Sequence, residues 1–317
     1  MSLPPVLQGR LRIPVVGAPM FIVSQPELVV AQCTSGVVGA FPALNARPPE
    51  LLDTWLTRIA GELAAWDAAH PDRPAAPFAV NQIVHKSNDR LAHDLELCVK
   101  HKVPIVITSL GAREDVNQAV HSYGGIVLHD VINVVHARKA IDKGADGLIA
   151  VCAGAGGHAG MLSPFALIDE IRAWWDGPLL LSGAIGNGRS VLAAQAIGAD
   201  LAYIGSAFIA TSEAQASDRY KAAIVESTAA DIIYTNLFTG VLGNYLRSSI
   251  INAGLDPDNL PTSDPSKMNF GSASTKAWRD IWGCGQGIGG IHAVTSVAEL
   301  VDRLVAEYAA ARQRLCA

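Results

Sequence analysis

Residues Ala150–Gly160 read Ala-Val-Cys-Ala-Gly-Ala-Gly-Gly-His-Ala-Gly. They follow the apolar run Gly147-Leu148-Ile149, which predicts a short buried strand, and precede a helical pattern from about Ser163. Four glycines and one histidine therefore fall on a strand-to-helix loop. Glycine lets backbone approach a flat or phosphorylated ligand, because no Cβ intervenes. An imidazole in such a loop can accept or give a proton near neutral pH. The plainer alternative is a loop that needs glycine for its turns and carries a surface histidine.

The same strand–loop–helix unit recurs on both sides. Upstream, five short apolar runs alternate with helical patterns: Val15–Met20, Val37–Phe41, Phe78–Asn81, Ile105–Thr108 and Ile126–His129. The helix over Glu50–Asp67 is the strongest of these patterns, with Leu52, Trp55, Leu56, Ile59 and Leu63 at helical spacing. Downstream come helix Pro164–Trp175, strand Leu179–Ser182, helix Gly188–Ile197 and strand Leu201–Gly205. Continuous apolar runs of this length read as parallel strands buried on both faces. Eight such units in one chain predict a (β/α)8 TIM barrel within the α/β class. A doubly wound open sheet is the alternative, and the missing Gly-x-Gly-x-x-Gly after the first strand counts against it.

Past Phe208 the alternation stops. Ser212–Ser249 reads as mostly helical, Asp256–Ser274 as a polar loop, and Trp278–His292 carries Gly-Cys-Gly-Gln-Gly-Ile-Gly-Gly before a long amphipathic helix over Ser296–Leu315. The expected organisation is a barrel over 1–209 and 291–317, with the last helix packed back on it. Residues 210–290 form a mainly helical insertion over the barrel mouth, as a lid or as a purely structural appendage.

Composition narrows the function. The 317 residues are 50% hydrophobic and 17% charged, with a net charge of -5, which supports a large core and argues against nucleic acid as a partner. No apolar run approaches the ~18 residues that a membrane-spanning helix requires. The N-terminal residues show no signal-peptide pattern. Five cysteines, none in a Cys-x-x-Cys pair, suggest reduced thiols in a cytoplasm. Nor does any cluster of carboxylates and histidines suggest a metal.

In a barrel, chemistry sits where the strands end, and phosphate is often held after the seventh and eighth. Here those ends read Ser182-Gly183-Ala184-Ile185-Gly186 and Gly205-Ser206, both glycine-bearing and both running into helices. Backbone N–H groups and helix dipoles would meet one anion there. The other ends offer Ala18-Pro19-Met20, Asn81, Thr108 and His129-Asp130, a rim suited to a planar heteroaromatic ligand. Cys152, six residues before His158, invites a Cys–His nucleophile, although an interior strand cysteine is usually a small core residue.

Ala18-Pro19-Met20, Asn81, Ala155-Gly156-Gly157-His158-Ala159-Gly160, Ser182-Gly183 and Gly205-Ser206 together resemble the nitronate monooxygenase, or 2-nitropropane dioxygenase-like, family. That family is similar to flavin-dependent enoyl-acyl-carrier-protein reductases and to certain NAD(P)H:quinone reductases. The resemblance spans nearly the whole chain, including Phe238-Thr239-Gly240 and Trp282–Gly287. It implies FMN across the barrel mouth, with the phosphate on Gly183, Ala184, Gly205 and Ser206, and Ala18, Pro19, Met20, Asn81, Thr108, Ala155, Gly156, Gly157 and Ser182 around it. His158 would be catalytic, facing the substrate beside an apolar pocket of Met20, Phe238 and Tyr245.

The implied reaction is oxidation of alkyl nitronates by O2 to a carbonyl compound and nitrite. The alternative is an NAD(P)H-dependent flavin reductase acting on a quinone or an enoyl thioester. Partners are then a small-molecule substrate and O2, with NAD(P)H as donor and a homodimer both left open.

Three departures stand out. Ala184 occupies the place of an often-found second glycine. The acidic run that follows Gly-His-Pro-Gly in the quinone reductases is missing, since Met161-Leu162-Ser163-Pro164 continues the chain. Asp130 stands where some relatives carry a basic or amide group, and a carboxylate facing the ring would disfavour an anionic reduced flavin. A flavin-free sugar-phosphate barrel would need a Schiff-base lysine at a strand end, and none is seen. A non-catalytic ligand-binding protein is the remaining alternative.

Overall fold

The computed structural model describes residues 3–263 and 280–316. Eight parallel strands form the centre: β1 Val15–Gly17, β2 Gly39–Pro42, β3 Phe78–Ile83, β4 Ile105–Ser109, β5 Ile126–Val131, β6 Gly147–Val151, β8 Leu179–Ser182 and β9 Leu201–Ile204. The seventh strand in the chain, β7 Gly157–His158, lies outside this set. The order around the sheet is β1-β9-β8-β6-β5-β4-β3-β2. A parallel bridge from Val16 to Val38 closes the ring, with the Gly17 N–H donating to the Val38 carbonyl at 2.8 Å. The chain is a (β/α)8 barrel, as its eight apolar runs predict.

The helices between strands form because each supplies one apolar stripe. Helix α2, Leu51–Ala69, buries Leu52, Trp55, Leu56 and Ile59, spaced to face the sheet. Helix α5, Val134–Asp142, starts at Asn133, whose side chain accepts from the His136 N–H; α7, Gly188–Ala196, starts at Asn187, which accepts from Ser190. Each asparagine is an N-cap that satisfies an otherwise open donor, a contribution of about 1 kcal/mol. These caps set helix starts directly behind the loops at the barrel mouth.

Within the ring, alternate residues face opposite ways. Ala79, Ile105, Ile107, Leu128 and Leu180 fill the interior, whereas Val80, Val106 and Val127 pack under the helices. This parity carries Asn81, Ser109 and Asp130 inward at the ends of three consecutive strands, above the apolar interior. Thr108 and His129 take the opposite face and bond to one another, Oγ1 to Nδ1 at 2.6 Å.

Residues 210–263 and 280–290 depart from the expected pattern in one informative place. The stretch Ser212–Ser249, expected to be mostly helical, holds helix α9, Asp218–Glu226, and then an antiparallel pair, β10 Ile232–Thr235 and β11 Gly243–Leu246. Ile-Ile-Tyr-Thr is a β-branched and aromatic run that favours a strand once a partner edge is available. That partner is the glycine loop: β11 also pairs with β7, placing Gly243 opposite His158 and Asn244 opposite Gly157. The loop expected over Asp256–Ser274 lies outside the described residues from 264 on, as does the start of Trp278–His292.

The C-terminal helix, Val297–Cys316, packs along α7 and touches the helix Pro26–Thr34. Gly188 permits that approach, since a Cβ there would sit 2.1 Å from the Leu304 carbonyl oxygen. The Glu307 carboxylate accepts from the Gly188 N–H at 2.7 Å, closing the open end of α7. No helix among the described residues is long and apolar enough to cross a membrane.

Candidate active site

The strand ends and the loops that follow them enclose a cavity of about 850 Å3, within the range of pockets that take cofactor-sized ligands. Its walls divide by chemistry. On the β8 and β9 side they are backbone and glycine; on the β3, β4 and β5 side they are polar side chains; the β6 loop brings in His158.

The glycine side is built from close backbone contacts. Gly183 has φ +150, and a Cβ on it would lie 2.8 Å from the Ala153 carbonyl oxygen, so this position excludes side chains on both counts. Gly156 and Gly285 pack backbone to backbone, and the Gly285 N–H donates to the Ser206 hydroxyl at 2.9 Å. Among the described residues, the N–H groups of Gly183, Gly205 and Ser206 meet no protein acceptor. They line the cavity and remain available to an anionic ligand. The helix after β9, α8 Ser206–Ile209, is only four residues long. It therefore supplies N–H groups more than the macrodipole expected there. Ala184 lies at φ 53, a left-handed conformation that glycine adopts without strain and alanine does not.

His158 is half-buried and held by the β10–β11 hairpin. Tyr234 donates to the Ala159 carbonyl at 2.8 Å, Asn244 Nδ2 to the Ala155 carbonyl at 2.6 Å, and the Ala159 N–H to Leu242 at 3.2 Å. His158 Nε2 lies 2.9 Å from Thr239 Oγ1, which itself lies 3.1 Å from the Val241 carbonyl oxygen. With the Thr239 hydroxyl donating to Val241, the imidazole donates from Nε2, and Nδ1 is the nitrogen that carries the lone pair. Burial pushes the His158 pKa down to about 4, so the ring is neutral near pH 7, the form a base requires.

Asn81, Ser109 and Asp130 form a directed row across the floor. Asn81 Nδ2 donates to Ser109 Oγ at 2.8 Å and to the Ile107 carbonyl at 3.1 Å; Ser109 Oγ donates to Asp130 Oδ2. The other carboxylate oxygen, Asp130 Oδ1, is buried with no hydrogen-bond partner among the described residues. Burial pushes the Asp130 pKa up to about 6, partly offset by the Ser109 hydroxyl.

The cavity brings together Ala18, Pro19, Met20, Asn81, Ala155, Gly156, Gly157, His158, Ser182, Gly183, Ala184, Gly205 and Ser206. Three expected residues lie elsewhere. Thr108 is turned away by strand parity, and Ser109 holds the inward place; a one-residue shift exchanges the faces. Phe238 and Tyr245 pack edge-to-face, ring centroids 5.1 Å apart, in a small cluster with Ile250 and Ile281. They support the Thr239 turn from outside the cavity wall. Cys152 is fully buried with its thiol pushed up to about 12, so it is unsuited to act as a nucleophile. Sequence reasoning gave no site role to Ser109, Thr239 or the stacked pair Tyr220–Trp282, whose rings lie 5.0 Å apart in the wall. Ile105, Val106 and Ile107 are all apolar, so no alternation shows which face Ser109 takes; Thr239 and Trp282 lie in stretches that carry the family resemblance, and nothing local marks Tyr220.

Comparison with known proteins gives one consistent placement. A family model described as nitronate monooxygenase matches residues 7–307. The chain is 27% identical to the nitronate monooxygenase of Paraburkholderia phytofirmans, over 83% of this chain and 82% of that one. It is 23% identical to a Rhodococcus jostii protein named as an octahydro-indene-carboxyl-CoA dehydrogenase, over 76% of this chain and 64% of the relative. Among solved structures, nitroalkane oxidase from Streptomyces ansochromogenes superposes with a TM-score of 0.80 at 25% identity, covering 98% of this chain and 99% of that one.

Proposed function

The chain belongs to the nitronate monooxygenase family and is an oxidoreductase, and from that premise we propose that it binds FMN and oxidises alkyl nitronates with O2 to a carbonyl compound and nitrite. One observation carries the proposal: His158 and both glycine-bearing strand ends wall the same cavity. The residues present fit the cofactor. Gly183, Gly205 and Ser206 offer unclaimed N–H groups and, with Ala184 beside them, room for a phosphate, while Met20 and Asn81 offer surface for the ring system.

When bound, the flavin supplies the electron transfer that no side chain here can perform. The chain does the rest. A nitronate is already deprotonated and needs only to be oriented. A neutral nitroalkane must first lose its α-proton, and His158 Nδ1 takes it while the Thr239 oxygen holds Nε2–H in place. The β10–β11 hairpin, with the rest of residues 210–263 and 280–290 as a lid, keeps water from the reacting carbon. Met20 gives the alkyl group an apolar contact, backed at a distance by Phe238 and Tyr245.

A second reading, NAD(P)H-dependent chemistry on a quinone or an acyl thioester, is favoured by the rim. His136 and Lys139 reach the cavity wall there, and Val135 on α5, Met161 in the loop after β7 and Phe165 in the helix Pro164–Arg172 are exposed, a surface larger than a small nitronate requires. Anaerobic reduction separates the two. The proposal expects bleaching of the bound flavin by a propyl nitronate and, after air is admitted, release of nitrite. Bleaching by NAD(P)H alone, with no response to the nitronate, would establish the second reading instead.

A further inference from the structure

We propose that Asp130 is the proton acceptor of the cavity floor, gaining a proton whenever the bound flavin is reduced, so that reduction takes up two protons and not one. The inference rests on the FMN reading and deepens it. Its basis is the geometry of the floor. Asp130 faces into the barrel axis above Leu128, in step with Asn81 and Ser109 on the neighbouring strands. Both donors in the row point toward it, from Asn81 to Ser109 and from Ser109 to Asp130. The chain therefore delivers one neutral hydrogen bond to one carboxylate oxygen. It gives the other oxygen nothing.

No lysine or arginine neutralises this carboxylate among the described ion pairs. The groups that face it are Tyr203 from β9, whose phenol is held well above its ordinary range by burial and then by Asp130 itself, and the Ser109 hydroxyl from β4. His129, its neighbour on β5, is turned to Thr108, and burial pushes its pKa down to about 4. His158, His136, Lys139 and His85 reach the same cavity from its loops and from α5. A buried carboxylate that lacks a cation is poised to protonate. Oδ1 is then the site for that proton, and for a hydrogen bond from the carboxyl group to a ligand.

The step balances as follows. Oxidised FMN takes two electrons and one proton to give the anionic reduced form, and the Asp130 carboxylate takes a second proton from solvent to become a carboxylic acid. In the experiment below, both electrons come from the electrode through the mediator dyes. A negative charge arriving in the same cavity raises the carboxyl pKa from its resting value near 6, which moves protonation into the neutral range.

The test uses the FMN-loaded protein in a spectroelectrochemical cell with mediator dyes, titrated from about pH 6.5 to 8.5, the neutral range around the shifted carboxyl. Wild type should show a midpoint that falls by about 60 mV per pH unit, since each proton bound per two electrons contributes about 30 mV. Asp130→Asn should halve that slope. An infrared difference spectrum recorded on reduction should gain a protonated-carboxyl band in wild type that the variant lacks, a readout insensitive to mere loss of packing. Ser109→Ala, which removes the donor to Oδ2 and so raises the carboxyl pKa in both redox states, should keep the two-proton slope and shift its range to higher pH. A one-proton slope in wild type, or equal slopes in wild type and Asp130→Asn, overturns the proposal while leaving FMN binding intact. A protein that cannot be loaded with FMN overturns the cofactor reading, and this inference with it.

Discussion

The two walls of the cavity solve different problems with different parts of the chain. On the β8 and β9 side, the working groups are main-chain N–H donors, and the sequence contributes chiefly by leaving side chains out: Gly183, Gly205 and the close pair Gly156 and Gly285. On the β3, β4 and β5 side, the working groups are the side chains of Asn81, Ser109 and Asp130, and the backbone contributes only parity. His158 belongs with the second kind, although its loop belongs by composition to the first. The difference assigns tasks: the backbone wall suits holding a ligand, and the side-chain wall suits changing it.

The sharpest break of this comparison is His158→Ala. It should retain FMN, because the proposed phosphate donors lie on other strands, and lose about 10²–10⁴-fold in rate on a neutral nitroalkane. Loss on the preformed nitronate should be smaller, and steady-state nitrite release with the two substrates measures both. Equal losses would move His158 from proton transfer to binding.

Gly183→Asp attacks the other wall. A side chain at φ +150, 2.8 Å from a carbonyl and negatively charged beside the expected phosphate, should weaken FMN by at least about tenfold, about 1.4 kcal/mol. Fluorescence titration of the apoprotein with FMN measures this, and an unchanged affinity would show that the phosphate lies elsewhere.

Thr239→Val sharpens the comparison by leaving the imidazole and removing its support. The rate on neutral nitroalkanes should fall by roughly tenfold, the cost of losing about one hydrogen bond's orientation. Thr239→Ser should restore it. The pH profile adds a second test, because a base with a pKa near 4 is already deprotonated at mildly acidic pH. In wild type the acid limb should then lie well below the 6.5 of an ordinary histidine. The sign for stability follows. The folded pKa is depressed, so the unfolded chain binds more protons between pH 6.5 and 4, and stability is lost as pH falls through that window. His158→Ala should lose less there.

The smallest effect is expected at Ala184→Gly. Relief of the left-handed strain, about 1–2 kcal/mol, is offset by about 0.5–1 kcal/mol of added chain entropy. Thermal unfolding should show a modest gain, and a loss would mean that the Ala184 methyl group packs better than its conformation suggests.

What could be read from the sequence follows the same division. Fully buried strands are continuous apolar runs, so Ile105–Thr108 and its counterparts announce the barrel, and glycine announces where backbone must come close. Those same runs conceal parity, because both faces are apolar; Thr108 and Ser109 cannot be told apart without the ring around them. The hairpin was hidden for a different reason. Ile232–Thr235 becomes a strand by pairing with β11, which in turn pairs with the distant Gly157–His158, and no local periodicity records a partner so far along the chain.

The pairing of β11 with β7 also governs how the cavity can open. A flap that swung away by its tip would ordinarily leave the catalytic group where it was. Here the flap and the histidine are adjacent rungs of one sheet, joined again through Tyr234, Asn244 and Thr239. Lifting the hairpin would carry His158 with it or break several hydrogen bonds at once. An open form would thus hold His158 away from the place proposed for the base, and the imidazole would reach it only as the hairpin came down.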